Sequence, residues 1–383
     1  MAIVGSGVFG ATAALELQQR GWHVTLFDTG PLPHPDASST DVSKVIRMDY
    51  GADRFYHELA EAALHGWDRW NAHWPDPLYH EDGFLLLSRG PMRPGGYEHD
   101  SWAVLRERGH DPQRIDAAAL SRDYPAWQAP EYGDGYFNAR AGWAESGAAV
   151  GHLLDLCRSA GVELILAGVM PLDPQSARIT SVTTLGGVTH DFDVVVLAGG
   201  AWTPTLAPWL SDIVWTIAQP VLHFGVDDPA AFQPPHFPPW AADIAGSGWY
   251  GFPALDDGRL KIGHHGPGTR VDPTDKGDVG EDHVRLCRRF LAAALPSLSG
   301  APVVGRRICL YCDSFDGDFL IDRDPEHPGL VVATGGSGHG FKFAPVLGGL
   351  VADAVEGEEN RWAHRFRWRG AGENRTEDAR FEG

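Results

Sequence analysis

The segment Ala2-Ile-Val-Gly5-Ser-Gly7-Val-Phe-Gly10 joins a short apolar strand to a glycine-rich turn and then to a helix predicted over residues 8–20. The strand His23-Val-Thr-Leu-Phe-Asp28 follows and closes a βαβ unit. In this context the glycines allow a tight turn, close approach of a pyrophosphate and packing of helix on strand, and the helix N-terminus faces the phosphates. Asp28 would accept a hydrogen bond from a ribose hydroxyl. The segment therefore predicts a dinucleotide-binding unit.

The rest of the chain indicates how this unit is completed. Helices are predicted over 53–75, 101–108, 146–160, 281–295 and 345–356, and strands over 162–166, 193–198, 318–321 and 330–334. Alternating strands between 214 and 265 include a hairpin turn at Asp256-Asp257-Gly258, whereas segment 76–140 is rich in Pro, Gly and Asp, as loops are. The βα pattern returns near the end of the chain. This favours an FAD-binding domain, because NAD-binding domains are usually completed within one contiguous stretch of sequence.

This order predicts an α/β fold combined with an α+β part. A Rossmann-like FAD-binding domain is expected from 1–50, 141–205 and 300–383, and an inserted antiparallel-sheet substrate domain from 51–140 and 206–299. The polar, arginine-rich segment after Asn360 carries three possible aromatic anchors, Trp362, Phe366 and Trp368.

Composition narrows the class of ligand. A formal charge of −20 argues against nucleic-acid and anionic-membrane partners, because phosphates would be repelled. No apolar run reaches the roughly 18 residues of a membrane span, and four scattered cysteines indicate a reducing cytoplasm rather than a disulfide framework or a zinc site. We therefore expect a cytoplasmic protein with a small-molecule ligand and no metal.

Lysine is scarce, which gives weight to each one. Of 31 basic residues only Lys44, Lys261, Lys276 and Lys342 are lysines, so a lysine in this chain is more often retained for its own chemistry. The alternative is that these are ordinary surface cations.

Several motifs follow the glycine-rich turn in a fixed order. They are Ser43-Lys-Val-Ile-Arg47, Gly199-Gly-Ala-Trp202, Tyr250-Gly-Phe-Pro with Lys261-Ile-Gly-His-His265, Cys309-Leu-Tyr311 with Asp318-Phe-Leu-Ile-Asp322, and Gly335-Gly-Ser-Gly-His339-Gly-Phe-Lys342. Together they resemble the monomeric sarcosine oxidase family of the DAO superfamily, which includes N-methyltryptophan, fructosyl-amino-acid and pipecolate oxidases. The resemblance covers essentially the whole chain. It implies a monomeric FAD-dependent amine oxidase with a GR2-type Rossmann-like domain.

The resemblance also implies that Cys309 carries FAD through a thioether to the flavin 8-methyl group. Arg306 and Arg307 precede it and are cationic neighbours that would favour the thiolate. Cys312 lies three residues away, and strand alternation turns it to the opposite face, where packing is the expected role. The other implied cofactor contacts are Gly5, Gly7, Phe9, Gly10, Asp28, Ser38, Ser43, Lys44, Val169, Gly200, Trp202, Gly338, Gly340 and Lys342.

By the same resemblance Lys261 lies near flavin N5 and activates oxygen, since a fixed cation stabilises the negative charge that develops there. Tyr250, His265 and Lys44 join it as catalytic candidates, and His264 is the rival of His265.

Arg47 and Lys342 match the pair of residues that binds the substrate carboxylate. The guanidinium group of Arg47 offers a planar fork, and the ammonium group of Lys342 offers a point charge. Tyr311 and Tyr250 match pocket residues that contact substrate and flavin.

The implied reaction passes hydride from the carbon next to a secondary amine to flavin N5, hydrolyses the imine and reduces O2 to hydrogen peroxide. Lys44 stands where sarcosine-type members carry arginine, so fructosyl-amino-acid, pipecolate and saccharopine oxidation remain alternatives. Two further alternatives are an amine dehydrogenase of the same fold that does not use O2, and a nucleotide-binding protein without catalysis.

Overall fold

A computed structural model describes residues 1–128 and 130–382. The strands are β1 (Ala2–Val4), β2 (Thr25–Asp28), β3 (Lys44–Ile46), β4 (Tyr79–His80), β5 (Phe84–Ser88), β6 (Gln113–Arg114), β7 (Asp134–Asn138), β8 (Gly142–Ala144), β9 (Glu163–Leu166), β10 (Ser181–Thr183), β11 (Thr189–Asp191), β12 (Val195–Leu197), β13 (Val214–Gly225), β14 (Trp240–Ala242), β15 (Trp249–Gly251), β16 (Arg259–His264), β17 (Thr269–Arg270), β18 (Val303–Ser314), β19 (Leu320–Arg323) and β20 (Leu330–Thr334).

The helices are α1 (Val8–Gln19), α2 (Arg54–His73), α3 (Tyr97–Glu107), α4 (Ala117–Asp123), α5 (Ser146–Ser159), α6 (Thr203–Leu206), α7 (Ile244–Ser247), α8 (Glu281–Ala294), α9 (Ala344–Glu356) and α10 (Ala363–Phe366). Each helix expected from the sequence is present within a few residues of its predicted ends. Short 3₁₀ turns occur at Gly200–Trp202, Pro208–Leu210, Pro229–Phe232, Pro296–Leu298 and Gly340–Phe343.

One sheet has the order β19-β20-β12-β1-β2-β9, and its neighbouring strands are parallel except β19 and β20. Its inner strands β1, β12 and β20 are buried along their length because both faces are covered. Ile3 of β1 packs in a cluster with residues of α1, α5 and α9, whereas Ala2 and Val4 pack in a second cluster with Val182 and Ile213. The predicted Rossmann-like arrangement of strands is therefore confirmed.

The glycine-rich turn approaches its neighbours too closely for side chains. Gly5 has a φ of +103°, and a Cβ there would lie 2.4 Å from the carbonyl oxygen of Ala198. A Cβ at Gly10 would lie 1.8 Å from the carbonyl oxygen of Gly5. Because both clashes are with backbone, the absence of side chains is what lets α1 begin directly against β1 and β12.

The larger sheet runs β17-β13-β16-β15-β14-β5-β7-β6, and β18 also pairs with β13. β13 and β18 are antiparallel from Val214–Ser314 to Phe224–Val303. The predicted hairpin between β15 and β16 is confirmed, with Trp249 opposite His264. α8 covers this sheet, and its Phe290 stacks on the rings of Trp249 and Trp240 at 4.8 and 5.8 Å.

Segment 76–140 differs from its prediction, because it is not a loop region around one short helix. β5 and β7 lie inside the larger sheet, and α3 and α4 accompany them. Every residue of β5 is buried, so the Phe84-Leu-Leu-Leu-Ser88 sequence lacks the alternation that marks a half-exposed strand.

The limits of the two domains remain a prediction. β3, inside the range 1–50 predicted for the FAD domain, pairs with β8 in a small sheet that also contains β4. Ala129 and Gly383 fall in the predicted ranges 51–140 and 300–383 and lie outside the described residues.

The aromatic anchors after Asn360 are confirmed. Phe366 is fully buried, Trp362 packs against the same cluster, and Trp368 packs against the cluster on the other face of the parallel sheet. Across 1–128 and 130–382, no helix is both long and apolar enough to cross a bilayer.

We expect Gly10→Ala to lower the free energy of unfolding by about 1–3 kcal/mol, the usual cost of overpacking, because the new methyl group would meet the Gly5 oxygen at 1.8 Å. Urea denaturation followed by circular dichroism measures the change. Gly151→Ala is the matched control inside α5, where a Cβ would meet Pro33 at an ordinary 3.7 Å. The control should gain about 0.5–1 kcal/mol, and a similar sign for both variants would contradict this account of Gly10.

Candidate active site

The carboxyl ends of β1, β2, β12 and β20 open onto a cavity of about 440 Å³, at the edge where parallel sheets of this kind bind ligands. Most residues predicted to bind the cofactor line it, namely Gly5, Gly7, Phe9, Asp28, Ser38, Lys44, Val169, Gly200, Trp202, Gly338 and Gly340. The other four lie behind its wall or beside it. Gly10 packs on Gly5, and the carbonyl oxygen of Ser43 accepts from Lys261. Cys309 contacts Lys44, and Lys342 lines a second cavity.

The wall of this cavity fits a dinucleotide. α1 begins after Gly7, which has no side chain to cap the helix, and Ser39 Oγ accepts from the amide of Val8 at 2.9 Å. Such a helix N-terminus attracts a phosphate. At the other end Asp28 Oδ2 accepts from the amide and the hydroxyl of Ser6 at 2.7 and 2.6 Å. Its other oxygen, Oδ1, accepts from the amide of Thr29 at 2.7 Å, and a second lone pair of this oxygen can accept from a ribose hydroxyl.

A second cavity, of about 80 Å³, shares part of its wall with the first. The residues that line both are Lys44, Tyr311, Gly338 and Phe341. Every residue predicted for catalysis or substrate binding lines the second cavity, namely Lys44, Arg47, Tyr250, Lys261, His265, Tyr311 and Lys342. Residues that are far apart in the chain therefore meet in one small space beside the dinucleotide cavity.

Lys261 lies on β16 with its ammonium group buried next to Asp41. Its Nζ is 2.6 Å from Asp41 Oδ2 and donates to the carbonyl oxygen of Ser43 at 2.6 Å. Burial lowers the pKa of Lys261 to about 8, although the charge of Asp41 opposes the shift. His223 lies opposite Lys261 on β13, with its Nε2 3.5 Å from Asp41 Oδ1. The charge of Lys261 therefore depends on Asp41.

Arg47 is paired with a carboxylate of the chain itself. Its Nη2 donates to Oε1 of Glu377 at 3.2 Å, and its Nη1 donates to the hydroxyl of Tyr97 at 2.7 Å. The ring of Tyr50 lies 5.1 Å from the guanidinium carbon. From the sequence we expected Arg47 to pair with the carboxylate of a substrate. In the structure Arg47 pairs with the carboxylate of Glu377.

Lys342 is held by neutral oxygens. Its Nζ donates to the hydroxyl of Tyr50 at 2.8 Å and to the carbonyl of His339 at 2.9 Å. Burial, and then the nearby charge of Arg47, lower the pKa of Lys342 well below its usual range. An anion that entered the cavity would therefore favour the charged form of this lysine.

Of the two neighbouring histidines, only His265 lines the second cavity. Its Nε2 lies 3.4 Å from Oε2 of Glu377, and burial lowers its pKa. His264 lies on the other side of the strand, with its Nε2 3.0 Å from the carbonyl oxygen of Ser247. Tyr250 reaches the cavity across Gly263, where a Cβ would lie 2.3 Å from Tyr250 Cζ.

Cys309 and Cys312 lie on opposite faces of β18, as their spacing predicts. Cys309 packs with Tyr311 and Ile217, and Lys44 Nζ donates to its sulfur at 3.5 Å. Cys312 lines the dinucleotide cavity, with its Sγ 3.2 Å from Thr334 Oγ1, and burial raises its pKa to about 11.

The cations expected beside Cys309 were wrongly identified. Arg306 forms an ion pair with Glu281, and Arg307 donates to the carbonyl of Ala37. Arg306 alternates to the other face of β18, and Arg307, on the same face as Cys309, uses its guanidinium group on Ala37. Lys44 comes from a different strand, so proximity in sequence could not reveal it.

Asp41 and Glu377 were missed by sequence reasoning. Asp41 lies in the Ser39-Thr-Asp-Val-Ser43 stretch just before a recognised motif, and an acid so near a candidate site is a weak signal. Glu377 lies in a polar stretch, Glu373-Asn-Arg-Thr-Glu-Asp378, typical of a solvated surface. Nothing in that stretch indicates a buried carboxylate.

Comparison with known proteins gives a consistent result. A family model described as FAD dependent oxidoreductase matches residues 1–354. The N-methyl-L-tryptophan oxidase of Salmonella arizonae is 31% identical over 357 residues, which cover 92% of this chain and 93% of that protein. Its counterpart in Salmonella typhi is 30% identical over 362 residues, 93% of this chain and 94% of that protein.

Solved structures agree on the fold. The deglycating enzyme fructosamine oxidase (Amadoriase II) of Aspergillus fumigatus is 25% identical with a TM-score of 0.83, covering 100% of this chain and 93% of that one. A modified fructosyl peptide oxidase from Aspergillus nidulans is 21% identical with a TM-score of 0.85, covering 99% of this chain and 95% of that one. The mixed parallel and antiparallel architecture is therefore the one that these flavoenzymes have.

We expect Asp41→Asn to lower the pKa of Lys261 further below about 8, because it removes the anion 2.6 Å from the ammonium group. The chain contains only Lys44, Lys261, Lys276 and Lys342, so NMR of lysine-labelled protein can follow each titration. Asp36→Asn is the matched control, since Asp36 pairs with Lys276 outside the second cavity. An unchanged Lys261 titration in Asp41→Asn would show that this ion pair does not control its charge.

Proposed function

This chain belongs to the family of FAD-dependent oxidoreductases, and from that premise we propose that it oxidises an N-substituted or cyclic amino acid at its CH–NH bond, with O2 as the acceptor. N-methyl-L-tryptophan oxidases at about 30% identity and a fructosamine oxidase at 25% support this class of substrate. The proposal includes a cytoplasmic monomer, covalently bound FAD and no nucleic-acid or membrane partner.

The observation that carries the proposal is the shared wall between the two cavities. Lys44, Tyr311, Gly338 and Phe341 face the dinucleotide cavity on one side and the cation-lined cavity on the other. A substrate in the second cavity would therefore lie directly beside a cofactor in the first.

Residues of the first cavity would hold FAD, with the pyrophosphate at the start of α1 and a ribose at Asp28, and Cys309 beside that cavity would carry the thioether. When bound, FAD would accept a hydride from the carbon next to the substrate nitrogen and pass the electrons to O2, giving hydrogen peroxide. Lys44 contacts the proposed attachment point, because its Nζ donates to the sulfur of Cys309 at 3.5 Å.

Residues of the second cavity would orient the substrate. Arg47 and Lys342 supply positive charge for a carboxylate, and His265 and Tyr250 lie where they can contact the amine. The low pKa of His265, due to burial, favours its neutral form, which can accept a proton from a protonated amine. Fixing both ends of a small substrate in this way supplies orientation, which is a large share of catalysis.

Lys261 would serve the oxygen half of the reaction. Lys261 lines the second cavity, and a fixed cation beside it would stabilise the negative charge that develops on O2 as it is reduced. Asp41 behind it keeps the lysine charged despite its burial.

A peroxide-coupled screen tests the proposed function. The panel is sarcosine, N-methyl-L-tryptophan, other N-methyl amino acids, pipecolate, proline, saccharopine and fructosyl amino acids, with primary amino acids as controls. Peroxide formation with members of the panel but not with the controls supports the proposal. Flavin bleaching without peroxide would indicate a dehydrogenase. The absence of bleaching would indicate a protein that only binds the nucleotide.

We expect Lys261→Met to slow reoxidation of the reduced protein by O2 by about 10²–10³-fold, the loss typical of one electrostatic donor, while anaerobic reduction by substrate stays nearly unchanged. In the wild type the reaction with O2 should fall as the pH rises through about 8, because the ammonium group of Lys261 loses its proton there. Stopped-flow spectroscopy separates the two half-reactions. Equal losses in both would remove Lys261 from the oxygen role.

We expect acid precipitation of the wild type to leave the yellow colour in the protein pellet, with one FAD added to the mass of the chain. Cys309→Ser should bind FAD and release it on denaturation. Cys312→Ser is the matched control, since this thiol lines the dinucleotide cavity from the other face of β18, and it should keep its flavin. Flavin in the wild-type supernatant would contradict covalent attachment, and loss only in Cys312→Ser would move the linkage to that residue.

A further inference from the structure

Glu377 places a carboxylate where the proposed function puts the carboxylate of the substrate. Its Oε1 accepts from Arg47 at 3.2 Å, its Oε2 lies 3.4 Å from His265 Nε2, and its side chain is 6% exposed. Within the described residues Oε2 has no hydrogen-bond donor. Burial opposes ionisation, but His339, His265 and Arg47 hold the pKa of Glu377 well below its usual range. The second cavity therefore contains an internal anion.

The segment that carries Glu377, residues 375–381 (the strap), is docked on the body of the protein. The amide of Arg375 donates to the carbonyl of Phe315 at 2.7 Å, and the amide of Phe381 donates to the carbonyl of His265 at 3.0 Å. Arg380 is buried, forms an ion pair with Asp313 and donates to the carbonyl of Ser337 at 3.1 Å. These anchors lie on both sides of Glu377, so its position on Arg47 is part of the fold.

We propose that Glu377 is a specificity-determining residue that competes with the carboxylate of the substrate for Arg47, an inference that rests on the proposed function. Two carboxylates on one buried guanidinium would repel each other, and a cavity of about 80 Å³ has little room for both. An amino acid therefore binds when its own carboxylate replaces that of Glu377, which keeps Arg47 paired throughout. A ligand without a carboxylate cannot make this exchange.

The test is the binding of acetate to the FAD-loaded protein, measured by isothermal titration calorimetry at constant ionic strength, with acetamide as the uncharged ligand. We expect Glu377→Gln to bind acetate at least about tenfold more tightly than the wild type, because a binding-competent state populated at roughly 10% or less weakens the apparent affinity by that factor. Acetamide should bind both proteins alike. Glu373→Gln removes the same charge from an exposed position just before the strap and should bind acetate as the wild type does.

A crystal structure of the wild type with acetate should show the acetate on Arg47 and Glu377 displaced from it. Unchanged or weaker acetate binding in Glu377→Gln would overturn the inference, as would acetate bound while Glu377 stays on Arg47. Weaker binding of both acetate and acetamide would also overturn it, and would make Glu377 a direct contact of the ligand.

A second variant covers the case in which Glu377→Gln does not fold. Glu377→Asp keeps the charge but shortens its reach, so it should tighten acetate binding by a smaller factor, and no change would overturn the inference. The substrate screen is independent of this measurement. Turnover of N-substituted amino acids without an acetate effect would remove only the role of Glu377, whereas the absence of turnover would remove the proposed function.

Discussion

Arg47, Lys261 and Lys342 all line one cavity and are buried, and moving a cation out of water costs several kcal/mol unless protein groups replace the water. Each cation meets this requirement differently. Lys261 has the carboxylate of Asp41, Arg47 has that of Glu377, and Lys342 has only neutral oxygens. Burial, and then the nearby charge of Arg47, lower the pKa of Lys342 well below its usual range. The charge state of each cation in the second cavity therefore depends on which anion lies beside it.

Strand geometry decides which side chains can share this cavity. β18 crosses the larger sheet against β13, and its alternation sends Cys309 and Tyr311 to one face and Cys312 to the other. β16 pairs with the opposite edge of β13, and this pairing brings Lys261 toward the same region. β18 thus delivers a thiol and a phenol, and β16 an ammonium group, to one region although the two strands lie in separate parts of the sequence.

Two parts of the chain complete the cavity from outside these strands. β3 contributes Lys44, the residue directly after it is Arg47, and the strap contributes Glu377. Asp41, before β3, acts on the cavity through its ion pair with Lys261. The first group precedes the larger sheet in sequence and the strap follows it, so the substrate cavity closes only when both ends of the chain have packed. Lys44 has a particular position, because it lines both cavities and contacts the sulfur of Cys309.

The sequence by itself determined the dinucleotide unit, the hairpin of β15 and β16 and the helices, because these features rest on local patterns such as glycine spacing and apolar periodicity. Motifs in family order also predicted the residues that line the second cavity. The buried strand β5 was missed because a strand covered on both faces has no alternation to read. Only the tertiary structure decided that Lys44, and not Arg306 or Arg307, lies beside Cys309, and that Asp41 and Glu377 pair with Lys261 and Arg47. Ion pairs between distant segments follow from how the sheets pack. The local sequence around a charged residue in a polar stretch is the same whether its side chain faces water or a buried guanidinium group.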